Sequence, residues 1–63
     1  MSDRELVLKL KRWVEVDAPG SFNSDFVFSV YEYFERLGRI SDRQRRALQN
    51  IVDKYEVSLE DYV

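Results

Sequence analysis

Three features of this sequence predict an all-α fold, a small bundle of three helices. Two stretches open with the Ser-x-x-Glu/Gln spacing of a capping box, Ser2 with Glu5 and Ser41 with Gln44. Pro19-Gly20 and Gly38 punctuate the chain into three segments of helical length. Within each segment polar and apolar residues separate at three- and four-residue spacing, which puts them on different sides of a helix. The pattern predicts helices over about 3–16, 24–37 and 42–55, in a single domain over 1–63.

In the first helix Leu6, Leu10 and Trp13 make an apolar stripe, widened by Val7 and Val14, while Lys9, Arg12 and Glu15 fall on another face. A rival pattern is present, because Leu8-Lys9-Leu10-Lys11 alternates and Trp13-Val14-Glu15-Val16 is β-prone. A lone strand finds no pairing partner in the later segments, so the helix is preferred. Asp17 to Asn23 reads as a loop, since Pro19 turns the preceding residue away from helical angles. Asn23 is the expected N-cap of the second helix, with Phe22 and Val27 spaced for a hydrophobic staple. Asp25 suits the positive end of the helix that follows.

The second helix inverts the usual proportion of a surface helix. Asp25, Ser29, Glu32 and Arg36 form one narrow polar stripe, with Glu35 beside it, and nearly every other position is large and apolar. Such a helix is either covered by both neighbours or gives a face to a partner. Tyr31 and Tyr33 suit the second role, because their rings bury area while their hydroxyls stay wet. Gly38 ends the helix as a left-handed residue. The third helix has a regular apolar face of Ala47, Leu48, Ile51, Val52 and Tyr55. Beyond Glu56, Val57 to Val63 reads either as one more short turn from Ser58, with Leu59 and Tyr62 folded back, or as a frayed acidic tail.

Composition narrows the function classes. A chain of 63 residues has a thin stability margin, and without Cys or His it has neither disulfides nor the usual zinc ligands to widen it. Efficient helix packing or self-association remains, and a homodimer is compatible with either. Catalysis needs a nucleophile with its base, carboxylates in a pocket, or a metal, and none is apparent; the expectation is a non-enzyme with no cofactor and no metal site. A net charge of −2 argues against a general binder of polyanions. No apolar run is long enough to span a bilayer, and the start lacks a signal-peptide pattern, so a cytoplasmic protein without membrane association is expected.

Charge is unevenly placed. Arg36, Arg39, Arg43, Arg45 and Arg46 crowd into eleven residues around the second turn. Three of them open the third helix, where the macrodipole disfavours a cation by about 0.3–1 kcal/mol at an exposed site. A local rule broken in this way marks a place to look for function. Arg43, Arg46 and Asn50 share one stripe, and such side chains bind phosphates, read base edges or meet an acidic protein surface. The plainer reading is a solvated charged face paired internally with Glu32, Glu35 and Asp53. A helix-turn-helix reader fits in outline only, since Phe34 and Gln44 occupy positions where that motif wants a small and an apolar residue.

Ser24 to Tyr55 is similar to a helical hairpin found in small phage and mobile-element proteins and at the edges of their replication proteins. The matching residues are Asp25-Phe26 at the start, Arg36-Leu37-Gly38 at the first helix end, and Ile40-Ser41-Asp42-Arg43-Gln44 as an apolar-led capping box. Leu48, Ile51 and Tyr55 follow in an amphipathic helix. The resemblance covers about half the chain, whose second helix is more aromatic than the outline requires. It implies a phage-like, nucleic-acid-associated context without a defined activity.

The sequence thus points to a protein-interaction module that acts on a larger protein, with Tyr31, Tyr33, Arg36, Arg39, Arg43 and Arg46 as the contact residues. The alternative is nucleic-acid binding through Arg39, Arg43, Arg45, Arg46 and Asn50.

Overall fold

Each helix begins where side chains can take up the free amides of its first turn. In the computed structural model, which describes residues 2–62, these are α1 (Asp3–Val16), α2 (Asp25–Leu37) and α3 (Asp42–Tyr55), followed by a 3₁₀ turn at Leu59–Asp61. Met1 and Val63, the ends of the expected domain, lie outside the described residues. The all-α three-helix architecture is as the pattern predicts.

At α3 the capping box is complete. Ser41 Oγ accepts from the Gln44 amide at 3.1 Å, and Gln44 Oε1 accepts from the Ser41 amide at 2.8 Å. Gln44 therefore holds the helix start, which accounts for a polar residue there. At α1 only half of the box forms: Ser2 Oγ accepts from the Glu5 amide at 3.2 Å, while the Glu5 carboxylate lies 3.7 Å from Lys9 Nζ. α2 begins one residue later than expected. Ser24 occupies the N-cap position with helical angles and no side-chain cap, and Asn23 Oδ1 instead accepts from the Asp25 amide at 3.0 Å.

Helix ends follow the same local logic. Gly38 has φ 73°, and its amide bonds the Phe34 carbonyl at 2.7 Å. Glu56 closes α3 in the same left-handed region, with φ 52°, although it carries a Cβ. The Val57 amide then turns back to the Val52 carbonyl at 3.0 Å, which sends the tail over the bundle rather than into solvent.

The central helix is α1. It supplies four buried side chains, Leu6, Val7, Leu10 and Trp13, and Leu10 is 0% exposed. α2, α3 and the 3₁₀ turn each pack against it. α2 buries Val27, Val30 and Phe34, while α3 fully buries only Leu48 and leaves Ile51, Val52 and Tyr55 half-covered. Covering of α2 by both neighbours, one of the two expected roles, is therefore not what happens. The tail is the reason a single helix can be central: Val57 and Leu59 are buried and Tyr62 is half-buried, so the last residues close α1 on a further side.

One aromatic cluster locks the loop to two helices. The Phe22 ring stands edge-on to Trp13 with centroids 5.1 Å apart, and edge-on to Tyr55 at 5.1 Å. Trp13 and Tyr55 are tilted at 5.5 Å. Such pairs add about 0.5–1.5 kcal/mol beyond area burial. Phe22, spaced as a staple for Val27, thus has its ring on α1 and on the end of α3. Tyr62 adds a second tie, its hydroxyl donating to the Asp17 carboxylate at the end of α1.

Candidate interaction surface

Because α2 rests on α1 by one side only, its apolar surplus reaches the surface. Phe26 is 42% exposed, Tyr33 36% and Leu37 52%. These three lie at intervals of seven and four residues, and so form a stripe down the whole helix. Exposed Ser29 lies between Phe26 and Tyr33 along it, and exposed Asp25 and Arg36 border it. Tyr31 lies off the stripe, half-buried, with Lys11 Nζ 4.7 Å from its ring centroid. Phe26 and Leu37 are thus exposed apolar side chains that the preference for tyrosine hydroxyls passed over. Their spacing relative to Tyr33 was the available signal.

The arginines divide into two groups. Arg45 is half-buried and engaged within the chain: Nε donates to Asp3 Oδ1 at 2.8 Å, the second guanidinium nitrogen to Asp3 Oδ2 at 2.9 Å, and the third to Asp42 Oδ1 at 2.6 Å. These bonds hold the Asp3 carboxyl below its ordinary value and raise the already high value of Arg45 further. Arg45 therefore ties the start of α3 to the start of α1. The internal pairing expected with Glu32, Glu35 and Asp53 does not occur among the described residues, because Asp3 and Asp42 are the carboxylates within reach.

Arg36, Arg39, Arg43 and Arg46 are all exposed and enter no ion pair among the described residues. Arg43, Arg46 and Asn50 occupy the outward side of α3, opposite Leu48. Arg36 and Arg39 flank the left-handed turn at Gly38, where Leu37 is exposed. The turn thus brings one exposed apolar side chain and two guanidinium groups without an ion pair among the described residues together at the end of α2.

Two of the open clefts among the described residues border these groups or the tail. One, lined by Ser2, Asp3, Arg4, Phe34, Glu35 and Gly38, lies between the start of α1 and the end of α2. The other, lined by Lys9, Val52, Val57, Ser58, Leu59 and Glu60, lies beneath the tail. No group of three or more metal-ligating side chains occurs among the described residues, and no helix among them is long and apolar enough to cross a membrane. No family model, curated protein or solved structure matches the chain.

Proposed function

We propose that this protein is a small interaction and regulatory module that docks on a larger protein through the apolar stripe of α2 and the arginines at its C-terminal end. The carrying observation is Leu37, 52% exposed between exposed Arg36 and Arg39. Apolar anchors next to arginine are the composition that dominates binding energy at protein interfaces. Phe26 and Tyr33 lengthen the contact, and Arg43 and Arg46 supply the charge that meets an acidic surface. The likeness of residues 24–55 to phage and mobile-element hairpins supports a partner that handles nucleic acid in the cytoplasm. The module acts by occupying its partner, without chemistry of its own.

Affinity capture with the tagged protein tests this reading, run beside a Phe26→Ser/Leu37→Ser variant and an Arg39→Glu/Arg43→Glu/Arg46→Glu variant. A captured protein that both variants lose is the expected result. Capture indifferent to both overturns it.

A second reading rests on the free outward side of α3. Arg39, Arg43, Arg46 and Asn50 are exposed, and direct nucleic-acid binding through them loses affinity steeply with salt, by about 0.9 of a log unit per phosphate contact for each log unit of salt. Arg45, held by Asp3 and Asp42, is not available to that surface in this conformation. A titration of duplex and single-stranded DNA at two salt levels separates the readings: binding that weakens steeply with salt supports the second, and no binding at the lower salt overturns it.

A further inference from the structure

The exposed stripe of α2 matches itself. Phe26 and Leu37 are eleven residues apart, close to three helical turns, so they lie almost on one line down the helix. Asp25 and Arg36 are also eleven residues apart and form a second line beside the first, with an acid at one end and a base at the other. Neither enters an ion pair among the described residues.

From this we infer that the occupant of the stripe in the isolated protein is the α2 of a second copy, laid antiparallel. The inference rests on the reading of this face as a docking surface. It adds that the free protein rests as a symmetric dimer, which the larger partner must open. In the antiparallel pair Phe26 of each copy meets Leu37 of the other. Tyr33, a large side chain, lies over Ser29, a small one, so the two stripes interdigitate. Asp25 at each end faces Arg36 of the other copy, and the helix start of one lies by the helix end of the other, which the dipoles favour. A parallel pair would put the Asp25–Arg36 line of one copy on the opposite side of the seam from that of the other, and neither charge would find its complement. A purely acidic partner would satisfy Arg36 and oppose Asp25.

The two-fold contact has limited extent. α2 has 13 residues and is about 20 Å long, so the interface belongs to the small, transient class. Self-association is therefore concentration-dependent, and the monomer keeps its own closed core.

Two measurements test the proposal. The first is solution mass by sedimentation from about 10 µM to 1 mM, a span that brackets weak dimers. The native chain passes from monomer to dimer, and Asp25→Arg or Arg36→Asp alone weakens the dimer about ten-fold. Mixing those two variants, or combining both changes in one chain, restores it. The second uses the absence of native cysteine. Phe26→Cys and Leu37→Cys proteins mixed under oxidised glutathione form a disulfide-linked heterodimer faster than either forms a homodimer. A monomer throughout the range overturns the proposal, as does faster linkage of either variant to itself. A monomer whose capture of a larger protein still needs Phe26 and Leu37 ends the dimer and spares the docking function. A dimer whose stripe is irrelevant to capture does the reverse.

Discussion

Arg45 closes on Asp3 through two side-by-side N–H···O bonds of 2.8 and 2.9 Å, joining residues forty-two apart in the chain. This is the one ion pair that ties the arginine cluster to α1 among the described residues. It fixes the start of α3 against the start of α1, and it explains a cation in a first helical turn, where the dipole alone disfavours one. Removing Asp3 therefore leaves Arg45 with Asp42 alone as a partner on its own helix.

Asp3→Asn lowers the thermal midpoint at pH 7, and the loss shrinks in acid. The folded-state value of Asp3 is depressed by its bonds to Arg45. Its contribution is complete above the unfolded value of about 3.9 and disappears as pH falls through the lower folded value. Thermal melts of native and variant chains draw together as pH falls from the unfolded value through the lower folded one if the pair acts in this way, and keep their separation if it does not.

Leu10→Ala is the severe core change. Leu10 is 0% exposed on the central helix, and deleting three buried carbons there costs about 2–5 kcal/mol. That is comparable to the whole stability of a domain this size, so the variant is largely unfolded by circular dichroism at 25 °C. Leu37→Ser, on the surface stripe, changes monomer stability by no more than about 0.5 kcal/mol. Equal losses at the two positions would contradict the burial described here.

Two residues take left-handed angles, and their substitutions have opposite signs. Gly38→Ala finds open space for its Cβ but is strained at φ 73°, and costs about 1–2 kcal/mol. Glu56→Gly relieves the same strain at φ 52° and gains up to about 1 kcal/mol, after the extra freedom of glycine in the unfolded chain. Chemical denaturation of both variants reads the two signs.

Tyr62 provides an alkaline signature. Its hydroxyl donates to the Asp17 carboxylate, and that bond pushes the phenol up to about 12 from 10.0. A folded-state value raised above the unfolded one stabilises fully below pH 10 and is lost as pH rises through about 12. Tyr62→Phe removes this loss, and phenolate absorbance at 295 nm shows one tyrosine titrating late in the native chain. A late titration that survives Asp17→Asn would assign the shift to another cause.

Caps, breaks and apolar spacing could be read from sequence because they act over a few residues. Ser41 and Gln44, Gly38, and the eventual helix bounds depend on amides and dihedrals within a turn or so. The apolar surplus of α2 is visible in the sequence as well, but not that Phe26, Tyr33 and Leu37 are the part of it left exposed. Which helix became central was not readable, since α1 and α2 both carry enough apolar surface for the role. Only the return of Val57, Leu59 and Tyr62 onto α1 decides between them. The arginines show the same division. Their crowding around the turn is a property of the chain, but their roles depend on which carboxylates tertiary folding brings within about 3 Å. Asp3, at the opposite end of the sequence, reaches Arg45 and leaves Arg36, Arg39, Arg43 and Arg46 facing solvent. Local chemistry is set by neighbours in sequence, and the pairing of distant charges by packing.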